Sequence, residues 1–377
     1  MTDQRRIVEI MDKGLRSGGP GMAYIVADAA GPIFERAGGL ADISGRVPLA
    51  LTTTLAAFSM TKTLTAIAVL QLAMAGALRL DDKVSEHIAH PYDPGITIRQ
   101  LITHTSGLPN PIPLRWVHGA DVQAGFDGRA ALAAVLAKHG GQRSRPGDRY
   151  LYSNIGYWLL GEVVEAASKQ DYAAFVRARV FSPLGLSPQD IDFAIAEPRN
   201  HAKGYLAAFS PMNFLKRFLL DRGVWGDYEG SWLRICDVYP DGPSFGGAIG
   251  SAAAFSVILR DLLKEDPVLL SKASRALLFE QARLNSGRTI DMTLGWHIGR
   301  IEGRPYYFKE GGGAGFHCEM RMYPAQGLAS VIMVNRTSFN SNRFLSRLDR
   351  ESADMIGESG DHAAGFESGG ASRSQQP

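Results

Sequence analysis

Between Thr61 and Ala75 the sequence is apolar on nearly every side, with Leu64, Ile67, Val69, Leu70, Leu72 and Met74 in one run. A helix here has no polar face to offer water, so it belongs inside the protein with the rest of the chain around it. Gly76 is placed to end it. The helix opens on Ser59-Met60-Thr61-Lys62. Residues three apart on a helix share a face, so the hydroxyl and the amine are neighbours. A serine in the first turn also meets unpaired N–H groups and partial positive charge, which suits an attacking alkoxide. Ser59 is read as a nucleophile and Lys62 as its activator.

Alone, Ser-x-x-Lys is weak: a chain this long contains about one by chance. It reads equally well as a serine N-cap beside a solvated lysine. Yet the apolar helix leaves Lys62 little solvated face. To act as a base near neutrality its pKa must fall from about 10.4 to about 7, roughly 4 kcal/mol of disfavoured charge. Burial with a second cation nearby supplies that; exposure does not.

Taken in order, residues 4 to 16 read as an amphipathic helix closed by Gly18-Gly19-Pro20. Gly21 to Asp28 and Pro32 to Gly39 read as a hairpin. Helices are expected over Ile98–Thr103, Asp127–His139, Gly156–Ala167, Phe175–Val180 and Ala252–Leu263. Residues 205 to 245 are dense in aromatics, glycine and proline and read as a cap over a pocket or an extra packed layer, suited to an acyl or aromatic group. Strands follow over Leu294–Ile301, Tyr306–Lys309, His317–Tyr323 and Leu328–Asn335. Their short links make them antiparallel. Phe344 to Ile356 reads as a closing helix, and residues 357–377 as a disordered tail.

The fold class is therefore α+β: an antiparallel sheet flanked by helices, with an inserted, mainly helical domain. Residues 1–57 and 246–356 form the discontinuous sheet domain, and 58–245 the helical one. The groove between them is the expected pocket.

Two further patterns carry chemistry. Tyr152-Ser153-Asn154 is the only Tyr-x-Asn in the chain. Its phenol can pass a proton between nucleophile and leaving group. The amide of Asn154 can orient a substrate carbonyl or hold the lysine. Lys309-Glu310-Gly311-Gly312 lies at the end of a strand. Alternation sets Lys309 and Gly311 on one face and Glu310 on the other. Glycines there allow close approach, so that a strand N–H can face a developing oxyanion.

These three patterns, in this order, resemble the class C β-lactamase, D,D-peptidase and related esterase superfamily. The segments Leu101 to Leu108, Pro146-Gly147-Asp148 and Gly311 to Phe316 also look like family segments, and the resemblance covers roughly Gly21 to Asn335. It implies that Ser59 is acylated, that Lys62 and Tyr152 handle its proton, and that Asn154 contacts substrate. It implies further that Lys309 holds positive potential behind the site, and that the oxyanion hole is the N–H of Ser59 with that of Gly312. Which of Lys62 and Tyr152 is the base stays open, since their protons are coupled. One departure is Glu310, where the family usually has a threonine that helps hold a substrate carboxylate. A carboxylate there weakens recognition of anionic substrates.

The expected function is an esterase acting on small-molecule esters through an acyl-enzyme. The alternatives are a D-amino-acid peptidase or amidase, a β-lactamase, an acyltransferase, or a catalytically silent binding module. No cofactor or metal is expected, and neither Gly-x-Ser-x-Gly nor His-Glu-x-x-His occurs. A net charge of +2 with scattered Lys and Arg argues against nucleic acid. No run of about 18 apolar residues suggests a membrane span. The N-terminal segment lacks a signal-like apolar core, and a cytosolic location is expected. Cys236 and Cys318 are read as reduced, buried thiols.

Overall fold

The computed structural model describes residues 2–15, 17–111, 116–211, 213, 222–301, 303–337 and 339–357. The tail expected after Gly357 lies outside them. One six-stranded antiparallel sheet organises the chain. Its strands are β1 (Met22–Ala27), β2 (Pro32–Gly38), β3 (His297–Ile301), β4 (Arg304–Gly313), β5 (Phe316–Tyr323) and β6 (Leu328–Val334). They run across the sheet as β3-β4-β5-β6-β1-β2. The expected N-terminal hairpin thus joins the C-terminal meander along β1 and β6, with Met22 opposite Val334.

Alternation along β1 sends its two sets of side chains into different cores. Met22, Tyr24 and Val26 pack with Ile7, Ile10 and Met11 of α1 (Thr2–Gly14) and with Leu345 and Leu348 of α5 (Ser341–Gly357). Ala23, Ile25 and Ala27 face the larger core, which holds α2 (Thr61–Met74) and α4 (Ala252–Leu263). Every residue of α2 from Thr61 to Leu72 is buried, as an all-round apolar helix requires.

Three differences from the sequence reading bear on the site. β3 begins at His297, not Leu294, because Gly295 takes a φ of +87° and Thr293 N–H closes a turn onto Trp296 O at 2.8 Å. β4 continues past Lys309 to Gly313, because its glycines keep pairing with β5, Gly311 opposite Cys318 and Gly312 opposite His317. α3 (Asn154–Ser168) starts at Asn154, capped by Ser153 Oγ, which accepts from Gly156 N–H at 3.1 Å. That cap turns Asn154 from a loop residue into the first residue of a helix.

In the aromatic segment, strands at 204–207, 225–229 and 232–235 form a small antiparallel sheet. It is anchored beside the β4–β5 turn, where Tyr205 N–H lies 3.2 Å from Gly315 O. Residues 212 and 214–221 of the expected cap or layer lie outside the described residues. Cys318 is buried and Cys236 only half-buried, and both are free thiols.

Under α1 and α5 the sheet carries a buried ionic network. Arg321 is fully buried, with Nε 2.6 Å from Glu319 Oε1 and Nη1 3.5 Å from Asp349 Oδ2. Asp349 accepts from Tyr323 OH at 2.6 Å, Ser330 Oγ at 3.0 Å and Tyr24 OH at 2.8 Å. Burial works against the guanidinium charge, but Asp349 and Glu319 outweigh it and hold its pKa above the ordinary value.

Candidate active site

Ser59 sits in a tight turn, Phe58–Met60, that leads directly into α2. Phe58 is held at a φ of +44°, a region that a bulky L-residue rarely adopts. The turn is wedged against β4. β3 ends opposite Phe308, with His297 as its first residue, so from Lys309 onward that edge of β4 is clear of the strand. Gly311 meets the turn here: a Cβ on it would overlap the Ala57 carbonyl and lie 3.0 Å from Ser59 N. Only glycine permits this approach, and it brings the Ser59 backbone against the strand that also carries Gly312.

Ser59 Oγ lies 3.0 Å from Lys62 Nζ and accepts from Tyr152 OH at 2.9 Å. Lys62 is fully buried, and its Nζ also donates to Phe245 O at 2.6 Å and Asn154 Oδ1 at 2.8 Å. No carboxylate is among these partners. Burial, and then the positive charge of Lys309, hold the Lys62 pKa far below its ordinary value. A neutral amine donates its two protons to Phe245 O and Asn154 Oδ1 and turns its lone pair to the serine hydroxyl.

Lys309 is 1% exposed, and its Nζ has no hydrogen-bond acceptor among the described residues. It lies 4.9 Å from the centre of the Tyr152 ring, while Lys62 Nζ is 5.2 Å from the same ring. Burial lowers the Lys309 pKa to about 7, with Glu310 acting in the opposite sense. Tyr152 is held as a neutral phenol, because burial pushes its pKa well above the ordinary 10 and only its bond to Ser59 works the other way.

Two imidazoles complete the surroundings. His104, at a φ of +56°, accepts from Ser153 N–H on Nδ1 at 3.1 Å, and its ring lies tilted against that of Tyr152, 4.2 Å between centres. His297 Nε2 is 3.2 Å from Tyr150 OH, and its ring lies 6.3 Å from that of Tyr152. Burial, with Lys309 and Lys62 adding to it, takes the His297 pKa to about 2 and that of His104 far below its ordinary range. Both are therefore neutral and serve to orient Tyr152, not to exchange protons near neutrality.

The structure brings Ser59, Lys62, Tyr152, Asn154, Lys309, Gly311 and Gly312 together, with Glu310 exposed on the other face of β4. Sequence reasoning missed three supports. Asn110 Oδ1 accepts from Asn154 N at 3.0 Å and from Asn154 Nδ2 at 3.2 Å. His104 lies inside the segment Leu101–Leu108 but carried no assigned role. The Phe245 carbonyl has no side-chain signal at all. A cavity of about 1140 Å³ opens elsewhere, lined by His118, Phe126, Glu162, Tyr172, Asp241 and Ser244, without Ser59, Lys62, Tyr152 or Lys309. The reactive groups, not this cavity, locate the site.

Comparison with known proteins points the same way. A family model described as Beta-lactamase matches residues 4–354. Penicillin-binding protein 4* of Bacillus subtilis (strain 168) is 28% identical over 289 residues, 72% of this chain and 58% of that protein. The chain thus spans less than two thirds of that relative's length. The octameric penicillin-binding protein homologue from Pyrococcus abyssi matches in fold with a TM-score of 0.75 at 20% identity, over 94% of this chain and 77% of that one. The D-amino acid amidase from Ochrobactrum anthropi SV3, complexed with L-phenylalanine amide, matches with a TM-score of 0.75 at 18% identity, over 94% and 99%. The α+β, β-lactamase/transpeptidase-like fold expected from the sequence is the fold observed.

Proposed function

The chain belongs to the beta-lactamase family of serine hydrolases, and we propose that it cleaves carboxylic esters of small molecules through an acyl-enzyme on Ser59. The single observation that carries this reading is the position of Ser59 Oγ, 3.0 Å from Lys62 Nζ and 2.9 Å from Tyr152 OH.

In acylation, Ser59 Oγ attacks the ester carbonyl carbon as its proton passes to the neutral Lys62 amine. The tetrahedral oxyanion is received by the N–H of Ser59 and, from its place on β4, that of Gly312. Collapse breaks the C–O bond to the alcohol, and the leaving alkoxide takes a proton through Tyr152. Water then attacks the acyl-enzyme by the same proton route in reverse, releasing the acid and Ser59. The strongly raised Tyr152 pKa supports Lys62 as the base, because a phenol that holds its proton so firmly cannot take the serine's. Asn154 and the Phe245 carbonyl hold Lys62 for this role.

Two features favour esters over β-lactams and cell-wall peptides. Glu310 replaces the hydroxyl that the resemblance associates with carboxylate recognition. Its half-exposed charge lies close enough to Tyr152 to raise the phenol's pKa further, so it also repels an anionic acyl donor at the rim.

The test is intact-mass trapping with p-nitrophenyl acetate and butyrate, beside nitrocefin and a panel of D-amino acid amides. One acyl group per chain and a burst of p-nitrophenol, both lost in Ser59→Ala, are expected. Ester turnover unchanged in Ser59→Ala would sink the proposal. Nitrocefin turned over faster than the esters would make the protein a β-lactamase, and faster release of D-amino acids would make it an amidase.

A further inference from the structure

The outer face of β4 carries groups that the acylation chemistry does not use. Glu310 and Gly312 point to this face, opposite Lys309 and Gly311. Across the ladder from Gly312 stands His317 of β5. Its Nε2 is 2.8 Å from Ser341 Oγ, at the start of α5. Ser341 Oγ donates in turn to Glu319 Oε2 at 2.7 Å, and the same carboxylate is charge-paired with Arg321 at 2.6 Å.

This chain decides the histidine's tautomer. A charge-paired carboxylate only accepts, so the single proton of Ser341 is committed to Glu319. Ser341 must then accept from His317, which makes Nε2 the N–H and leaves the lone pair on Nδ1. That Nδ1 is the nearest atom to the vacant side-chain position of Gly312, 3.4 Å from where a Cβ would lie. Glu310 stands beside the ring, with Oε1 3.9 Å from Nε2 and its side chain 49% exposed. Among the described residues no Lys or Arg pairs with Glu310. The rim therefore presents the Glu310 carboxylate beside the ring and, on Nδ1, a fixed lone pair at the open side-chain position of Gly312. The one donor of the pair, the Nε2–H, is committed to Ser341, and the two acceptors left over are the complement of an ammonium group.

We propose that Glu310 and His317 form a subsite for a cationic amine carried by the ester substrate. The subsite lies one residue along β4 from Gly311, which touches the Ser59 turn. It rests on the reading of Ser59 as the acylated nucleophile, and it makes the specificity of that site cationic. The charged groups around His317 are Glu310 from β4 and Glu319 on its own strand, reached through Ser341 of α5, with Arg321 behind Glu319. Across β6 its neighbour is the apolar Val334. Burial lowers the His317 pKa, with Glu310 and Glu319 opposing it. The ring is thus neutral at pH 7 and accepts. In acid it becomes an imidazolium, loses the lone pair and repels the substrate cation.

Two rigid, isosteric substrates read this out: the p-nitrophenyl esters of trans-4-(aminomethyl)cyclohexanecarboxylic acid and trans-4-ethylcyclohexanecarboxylic acid. The first is cationic and the second neutral. At pH 7.5 the protein is expected to favour the cationic ester about tenfold in kcat/KM, mainly through KM. In Glu310→Gln the ratio should fall to about 1, through a raised KM for the cationic ester. The native preference should fade in acid, and in His317→Gln, or in His317→Asn if that variant misfolds, that fading should be weaker. Equal rates for the two esters in the native protein would overturn the subsite. So would a Glu310→Gln variant that slows both by one factor, since that marks a structural role. If neither ester gives a Ser59-dependent burst, the Ser59 reading itself fails and the subsite falls with it.

Discussion

On one face of the sheet, Arg321 is buried between Glu319 and Asp349, and Tyr24, Tyr323 and Ser330 donate to the latter carboxylate. On the other, Lys62 and Lys309 are buried around one phenol ring, and among the described residues no carboxylate bonds to either amine. The first arrangement keeps its charge because partners replace the lost water. The second holds its charge less firmly because, among the described residues, no carboxylate does so. The pKa values of these buried groups are thus moved in opposite directions. A paired cation ties β5 and β6 to α5, whereas an unpaired one becomes a base.

The comparison would break most visibly at Arg321. Arg321→Met leaves Glu319 and Asp349 buried without their cation and is expected to cost about 3–5 kcal/mol of stability. Urea unfolding should show this as a lower midpoint with an unchanged slope. A variant as stable as the native chain would mean that the network holds nothing together.

Lys309→Met should behave in the reverse sense. The native pKa of Lys309 is about 7, against about 10.4 in an unfolded chain. Between those values the unfolded chain binds a proton that the folded one lacks, so stability rises with pH across this window, by at most about 1.4 kcal/mol per pH unit. Below about 7 both states are protonated and the dependence stops. Lys309→Met should flatten that slope and be no less stable than the native protein at pH 7. It should also remove the positive charge that depresses Lys62, so that Lys62 needs a higher pH to be neutral. The acid limb of kcat/KM is expected to move up by about one pH unit. A limb that stays in place would show that burial alone sets Lys62.

The smallest effect sharpens the picture at Asn154. Asn110→Ala removes the acceptor for both its N–H and its Nδ2, worth about 1 kcal/mol. A drop in kcat of about fivefold is expected, with the acid limb unmoved, because Lys62 keeps its own partners. A shifted limb would place Asn110 in the electrostatics of Lys62 instead of the orientation of Asn154.

Much of the fold was legible because periodicity and turn chemistry are local. The N-terminal hairpin, the helix Ala252–Leu263 and the closing meander all follow from patterns a few residues long. The starts of α3 and β3 were not, since a serine cap and a left-handed Gly295 decided them. At the site, Ser59, Lys62, Tyr152, Asn154 and Lys309 were legible as motifs, while Asn110, His104 and the Phe245 carbonyl were not. Their contacts with Tyr152, Asn154 and Lys62 join residues more than forty positions apart, and a carbonyl leaves no mark in a sequence.

By itself, then, the sequence determined that α2 is buried, that Ser59 and Lys62 share its face, and that Glu310 and Lys309 point to opposite sides of a strand. Helix and strand geometry are enough for each of these. Only the tertiary structure decided that Lys62 has three uncharged partners, that Lys309 meets the Tyr152 ring but no hydrogen-bond acceptor among the described residues, and that Arg321 does not share their fate. It alone set His317 beside Gly312 with its lone pair free. Protonation and orientation depend on which groups replace water around a side chain, and those groups arrive from distant parts of the chain.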